Sequence, residues 1–341
     1  MSILEYLSLK PYNTFGVRAT THFFCRVRRK EQMEDLIQNE FQYYNKILIL
    51  GEGSNILLCD NFDGLVIKNE ITGIEIIKED EEHVWVNSLS GTNWHELVLY
   101  CVGRNYGGLE NLSLIPGTVG AAPMQNIGAY GAELKDTFVS LEAIGLENGE
   151  TMIFDKEACD FGYRQSIFKT SEKGKYFIYS VTLKLSKAPV LNTAYGDIQK
   201  VVSKNLPAGK QPTIQDVSDA VIEIRRSKLP DPKEIGNAGS FFKNPEVAKE
   251  TAAKIQKDFP GMPGYNLPNE KVKIPAAWLI EQCGWKGKRM GNTGNHAQQA
   301  LVIVNYGEAT GEEIWQHALK VQQSVQDKFG ILLEPEVNII K

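Results

Sequence analysis

Residues 115–131 read IPGTVGAAPMQNIGAYG, and Gly117, Gly120, Ala121, Ala122, Gly128, Ala129 and Gly131 leave this stretch nearly bare of side chains. Glycine weakens helices and strands through its conformational freedom, so the tract reads as a loop whose backbone a large flat or phosphorylated ligand can approach. A second small-residue loop, LGEGSN at 50–55, follows directly on the apolar run ILIL. Two glycines and a serine at a strand exit can aim several peptide N–H groups at one anion. Either loop alone reads as a tight turn. Together, in one chain with no other nucleotide motif, they point to a dinucleotide held without a Rossmann unit.

Other chemistries are refused. No G-x-x-x-x-G-K-[ST] occurs, and GEGSNI (51–56) places Ile56 where a Rossmann fingerprint needs its third glycine. HELVL (95–99) lacks the second histidine of a zinc-protease helix, and His22, His83, His95, His296 and His317 are scattered. No serine lies in G-x-S-x-G, Ser240 included. Cys25, Cys59, Cys101, Cys159 and Cys283 form no C-x-x-C pair, so no disulfide framework or zinc ribbon is expected, and a reducing cytoplasm fits. The net charge of −5 and the single short basic run RVRRK (26–30) speak against a nucleic-acid partner. No apolar run approaches a membrane span and the N-terminus lacks a signal pattern, so a soluble chain without membrane contact is expected. At 341 residues the chain exceeds one core, so two or three domains are expected.

Periodicity sketches the organisation. HFFCRVR (22–28) and KILIL (46–50) read as strands around a helix at 30–42, with Met33, Leu36, Ile37 and Phe41 on one face. Short β-rich runs at 64–91 precede a buried helix at 92–103. Residues 137–155 read as a hairpin turning at Asn148-Gly149. A strand follows at 175–186, then a helix from Thr213 to Lys228 with Thr213 and Asp216 spaced as a capping box. LPDP (229–232) stops that helix, and a domain boundary is placed there. The last part holds a helix near 275–283, a strand at 300–305, and a long helix at 311–329. Ile314, Ala318, Val321, Val325 and Phe329 form its core stripe, and a final strand is read at 331–340.

YNTFGV (12–17), GEGSNIL (51–57), the 115–131 tract, FGYRQS (161–166), YGD (195–197), LPDP, GNAGSFFKNP (236–245) and EPEV (334–337) occur in this order. This succession resembles the UDP-N-acetylenolpyruvoylglucosamine reductase family, in its longer subtype with a tyrosine-bearing loop that closes over substrate. The resemblance runs from Asn13 to Glu336. It implies an α+β fold: a two-lobed FAD-binding domain of the vanillyl-alcohol-oxidase (PCMH) type at 1–228, with lobes at about 1–72 and 73–228, followed by a smaller α+β substrate-binding domain at 229–341. Residues 331–341 would return toward the active site.

The implied activity uses NADPH to reduce non-covalent FAD, whose N5 then passes hydride to the enolpyruvyl ether of UDP-N-acetylglucosamine enolpyruvate, giving UDP-N-acetylmuramate for peptidoglycan synthesis. By resemblance Ser240 donates the proton, and Arg164 and Glu336 are the other catalytic residues. A serine hydroxyl is a weak acid toward water, but a carbanion equivalent is basic enough to take its proton. A fork-shaped arginine suits the carboxylate on which charge gathers. A carboxyl there could act as donor when protonated or could orient its neighbours. On a strand, Glu334 and Glu336 would share a face, so the assignment to Glu336 rests on the motif. The implied FAD contacts are Gly51, Gly53, Ser54, Asn55, Thr118, Gly120, Gln125 and Asn126, and the implied substrate contacts are Tyr195, Lys228, Asn244 and Gln299. Some relatives carry serines at Ala121 and Ala122, so backbone would replace any hydroxyl contact there. Phe241 and Phe242 should pack to hold the Ser240 loop. Small-molecule substrates, no metal, a monomer, and no tail for an extra lid beyond Glu336 are expected. Two other readings stay open: another FAD-dependent oxidase or dehydrogenase of the superfamily, and a flavin-free UDP-sugar transferase.

Overall fold

The computed structural model describes residues 2–207, 209–268 and 270–341. The chain forms two compact units. One takes residues 1–7, 21–52 and 63–227, the other 8–20, 53–62 and 228–341.

The first unit opens with a four-stranded sheet in the order Leu4–Ser8, Thr20–Val27, Phe62–Asn69, Ile47–Leu50. The last two run parallel, with Ile49 opposite Ile67 and Leu50 opposite Lys68. The helix Lys30–Asn39 buries Met33, Leu36 and Ile37, the apolar face its spacing predicts. That face joins Cys25, Val27, Leu65 and Ile67 in one cluster, which also takes in Ile144 and Phe177 of a second sheet. The two lobes of this unit therefore share core, and each such large side chain taken from water contributes about 1.5–3 kcal/mol.

The second sheet has five antiparallel strands in the order Thr151–Asp155, Phe138–Gly145, Tyr176–Ser186, His83–Leu89, Ile74–Glu79. Its hairpin turns at Asn148-Gly149, where Gly149 adopts φ 72°. The helix Trp94–Val102 buries Trp94, Leu97, Val98, Cys101 and Val102 against Val84, Val86, Val181 and Leu183. Asn93 caps it, its Oδ1 accepting from Glu96 N at 3.0 Å. The helices Ile198–Asn205 and Ile214–Lys228 pack through Ile198, Val202, Val217, Ala220, Val221 and Ile224. The capping box is present: Thr213 N donates to Asp216 Oδ2 at 2.8 Å and Asp216 N donates to Thr213 Oγ1 at 3.3 Å.

In the second unit, Gly236–Ser240, Val302–Asn305, Thr293–Asn295 and Arg289–Met290 form an antiparallel sheet in that order. The helix Gly311–Phe329 buries the expected stripe and His317 with it. A small sheet (Glu246–Ala248, Lys271–Lys273, Tyr265–Asn266) accompanies the helix Lys249–Asp258. The reading of one long final strand is corrected. Residues 331–337 are irregular, and only Asn338–Ile340 is a strand, pairing in parallel with Ile56–Leu58. Pro335, which lacks an N–H donor, breaks the run. Among the described residues no helix is long and apolar enough to cross a membrane, and no histidine, cysteine and carboxylate group is disposed to hold a metal.

Candidate active site

In the first unit the candidate residues gather near the exit of Ile47–Leu50. Lys68 Nζ donates to Gly51 O at 2.6 Å. Burial pushes the Lys68 ammonium below its ordinary range, with Glu52 and Glu70 opposing. The carboxylate of Glu52 accepts from Gly117 N at 2.9 Å and from Asn93 Nδ2 at 2.5 Å. One side chain thus ties the strand exit to the glycine-rich tract. The contact needs glycine, because a β-carbon at Gly51 would lie 2.6 Å from Thr118 Oγ1. Gly120 is equally tight, its β-carbon position falling 2.5 Å from Ser90 Cβ. The peptide N–H groups of Gly51 and Glu52 find no acceptor among the described residues.

The tract itself is more ordered than an open loop. It folds as the short 3₁₀ turns Val119–Ala121 and Pro123–Gln125 and the two-residue hairpin Gly128–Ala129 with Ala132–Glu133. Ala121 is exposed, whereas Ala122 is buried in the core, so only the first of these alanines lies open. Gln125 Oε1 accepts from Lys169 Nζ at 2.8 Å. Asn126 is buried, and its side-chain nitrogen donates to Glu133 Oε2 and Gly162 O, both at 3.0 Å. Its side-chain nitrogen therefore serves the protein, and its backbone N–H donates to Pro123 O at 3.4 Å. Arg164 sits in the left-handed region at φ 52°, and its Nη2 donates to Gly128 O at 2.6 Å. Tyr195 is exposed, with its ring edge-on to Tyr130 at a centroid distance of 6.2 Å.

In the second unit the candidate residues lie near a turn organised by Asn13. Asn13 Nδ2 donates to Leu9 O and Val17 O, and its Oδ1 accepts from Val17 N at 3.1 Å, which closes the YNTFGV turn. From that turn Thr14 N donates to Gly53 O at 3.1 Å, and Asn237 N donates to Thr14 O at 3.0 Å. Gly53 lies at φ 66°, with its β-carbon position 2.0 Å from Tyr12 O, so no other residue fits. The N–H groups of Gly53 and Ser54 also lack an acceptor among the described residues. Asn55 Nδ2 donates to Glu336 O at 3.3 Å, and Asn338 N donates to Asn55 O at 3.0 Å.

Ser240 ends the strand Gly236–Ser240, opposite Val302 and just past an irregularity in register where Gly239 adopts φ 69°. Its hydroxyl has no hydrogen-bond partner among the described residues. Phe241 and Phe242 beside it are 0% and 1% exposed, so the loop is anchored by its bulky side as expected. Phe241 N donates to Leu301 O at 2.9 Å, and Glu336 N donates to Phe241 O at 2.8 Å. The backbone of Glu336 is thereby fixed to the residue that follows Ser240. Glu334 and Glu336 do not share a strand face: Glu334 is exposed and its carboxylate pairs with Lys243 at 3.1 Å, while Glu336 is half-buried. Asn244 Oδ1 accepts from Ala276 N at 2.9 Å, opening the short helix Ala276–Gln282. Gln299 sits in the turn before Val302–Asn305, its backbone O accepting from Val302 N at 3.0 Å, and Lys228 closes the helix Ile214–Lys228.

Asn13, Glu52, Lys68 and Asn93 were not singled out from sequence. For Asn13 a signal existed, since asparagine shortly before glycine favours a side-chain-closed turn. For Glu52 and Lys68 there was none, because their partners are distant in the chain. The 51–54 loop, with N–H donors that lack acceptors among the described residues and close approaches that favour glycine, suits an anionic group such as the diphosphate of a dinucleotide, whereas the N–H groups of Gly117, Val119 and Gly120 are already engaged.

Comparison with known proteins agrees. Residues 22–155 match the family model described as "FAD binding domain", and residues 231–340 match that of the C-terminal domain of UDP-N-acetylenolpyruvoylglucosamine reductase. Proteins of that name from Flavobacterium johnsoniae and Amoebophilus asiaticus are 52% and 50% identical, each over 100% of both chains. The one from Chromobacterium violaceum is 46% identical over 98% of both. The crystal structure of the reductase from Thermus caldophilus aligns over 100% of this chain and 98% of its own, with TM-score 0.65 and 24% identity. The fold class is therefore α+β, an FAD-binding domain followed by a second, C-terminal α+β domain. By the full-length identities, the chain belongs to the UDP-N-acetylenolpyruvoylglucosamine reductase family.

Proposed function

We propose that this chain reduces the enolpyruvyl ether of UDP-N-acetylglucosamine enolpyruvate to UDP-N-acetylmuramate, with NADPH as the source of reducing equivalents. The family membership supports the reaction, and the match to an FAD-binding domain sets aside the flavin-free transferase. Bound FAD supplies the hydride. Gly51, Gly53 and Ser54 would hold it chiefly through backbone donors, with Asn55, Thr118, Gly120 and Gln125 beside them.

Once the methylene carbon of the enol ether is reduced, negative charge gathers on the adjacent carbon and its carboxylate. Arg164 would steady that charge, its guanidinium carrying a permanent positive charge in a planar fork. Ser240 would deliver the proton from Oγ to the carbon. Glu336, anchored by its backbone to Phe241, would orient the donor or the acceptor carboxylate. Tyr195, Lys228, Asn244 and Gln299 would hold the UDP moiety, in a substrate-binding domain beginning near 229. The reaction would proceed in the cytoplasm, on small molecules, with the protein a monomer.

The observation that carries this reading is the unengaged Ser240 hydroxyl at the end of a strand whose next peptide holds Glu336. Another superfamily oxidase would need a base to take a substrate proton and gives that hydroxyl no task. The test is Ser240→Ala in stopped flow. NADPH should bleach the bound flavin at the parent rate, and reoxidation by the enolpyruvyl substrate should slow by roughly 10²–10⁴-fold, the effect of losing a general acid. Equal slowing of both half-reactions would make Ser240 structural and sink the proposal.

A further inference from the structure

Asn126 lies in the left-handed region at φ 44° and has no exposed surface. Its amide nitrogen donates to Glu133 Oε2 and to Gly162 O, and its Oδ1 accepts from Lys135 N, all at 3.0 Å. Glu133 belongs to the hairpin Gly128–Ala129 with Ala132–Glu133, and Lys135 follows it. Gly162 opens the turn that carries Arg164, where Gly162 N donates to Gln165 O at 3.0 Å. Arg164 is held at both ends by these two pieces. Its backbone rides the turn in a left-handed conformation that residues with a β-carbon avoid. Its guanidinium Nη2 donates to Gly128 O at 2.6 Å, and a β-carbon at Gly128 would come within 3.1 Å of Nη1. The Asn126 side chain thus donates both to the hairpin carrying that carbonyl and to the turn carrying the arginine.

We propose that Asn126 is a positioning residue. It binds the Arg164 turn and the hairpin that aims the guanidinium into one piece, and it acts on the reaction through Arg164. This rests on the role given to Arg164 above. A direct contact of the Asn126 side chain with the cofactor is disfavoured, because its amide nitrogen already serves two protein acceptors.

The test is a double-mutant cycle between Asn126→Gly and Arg164→Ala. Glycine takes a positive φ without strain, so Asn126→Gly removes the side chain alone. The expected result is parental FAD content and parental flavin bleaching by NADPH, a melting midpoint lowered by the loss of three buried hydrogen bonds, and reoxidation by substrate slowed by about 10²-fold, the cost of misplacing a reacting-centre group by about 1 Å. On the Arg164→Ala background the same change should add less than about threefold, since coupled residues are non-additive. Full additivity, loss of FAD from Asn126→Gly, or parental reoxidation would each overturn the proposal. If Arg164→Ala itself reoxidises at the parent rate, the role of Arg164 falls and this inference with it. A slow Arg164→Ala beside an unimpaired Asn126→Gly removes this inference alone. Should Asn126→Gly not fold, Asn126→Asp enters the same cycle: it keeps an acceptor for Lys135 N, loses the donors, and sets a second carboxylate beside Glu133.

Discussion

Arg164 concentrates the site's demands on a single residue. Its left-handed backbone would suit glycine or asparagine better, and under the proposed function arginine stands there because the side chain, not the turn, would have the chemical task. Its Nη2 contact with Gly128 O fixes one end of the fork, leaving the plane of the guanidinium oriented. A lysine at this position would keep the charge and lose the fork. Arg164→Lys should therefore retain FAD and bleach normally with NADPH, while reoxidation by substrate drops by about 10²-fold or more. Stopped-flow absorbance of the flavin checks this, and an unimpaired lysine variant would remove Arg164 from the catalytic set. The sequence indicated Arg164, Ser240 and Glu336 only through the resemblance of their motifs. Nothing in FGYRQS announces a positive φ at Arg164, and the groups around it, Gly162, Asn126 and the hairpin, meet only in the folded chain.

Elements with strong periodicity were legible for a physical reason. The helix Gly311–Phe329 buries one face, so its stripe had to be apolar at helical spacing, and the Thr213–Asp216 box is written in two residues three apart. Leu4–Ser8, Gly236–Ser240 and Lys249–Asp258 were not, because they are short, half-exposed or rich in small residues, and tertiary pairing decides them. The long helix carries two tests. Its first residue, Gly311, sits where alanine would normally stabilise a helix by about 0.8–1 kcal/mol. Here a β-carbon would lie 1.7 Å from Leu58 O, so Gly311→Ala should destabilise by about 1–3 kcal/mol in denaturant titration, as overpacking does. A gain in stability would show that the strand yields at no cost. Farther along, His317 Nε2 contacts Asn295 Oδ1 at 2.7 Å, its Nδ1 has no partner among the described residues, and Trp285 packs edge-on. Burial first, then Lys320 and Lys288, push its pKa from 6.5 down to about 4. Above pH 6.5 the imidazole is neutral whether the chain is folded or unfolded. As pH falls from 6.5 toward 4 the unfolded chain takes a proton that the folded chain refuses, so stability should drop by about 3 kcal/mol across that window and level off below it. His317→Gln should flatten this part of the pH–stability curve, and parallel curves for the two proteins would refute the assignment.

At the scale of the whole chain, the second unit is assembled from three separated segments, and this makes it dependent on residues that its C-terminal sequence does not contain. A fragment of residues 229–341 retains the sheet and the long helix but lacks 8–20 and 53–62. Without Ile56–Leu58 the strand Asn338–Ile340 has no parallel partner. Without the YNTFGV turn, Asn237 N loses Thr14 O and Asn305 Nδ2 loses Phe15 O, the latter at 2.8 Å in the intact protein. Each buried polar group left unsatisfied costs about 1–3 kcal/mol, and removing Phe15 from beside Phe241 opens a cavity of the kind that costs about 3–5 kcal/mol. A domain is stable by only about 5–15 kcal/mol in total, so these losses are enough to unfold it. The fragment should therefore show poor amide dispersion in NMR spectra and no cooperative melting. Joining 8–20 and 53–62 to it through flexible linkers should restore both, because they return the missing acceptors and the missing strand. A cooperative, well-dispersed 229–341 fragment would mean that the N-terminal segments merely decorate a self-sufficient core. The pairing of Ile56 with Asn338 also spans nearly the whole chain. Such long-range closure is slow, so the strand Ile56–Leu58, with the Gly53 turn before it, waits for the last residues of the chain before it can be completed.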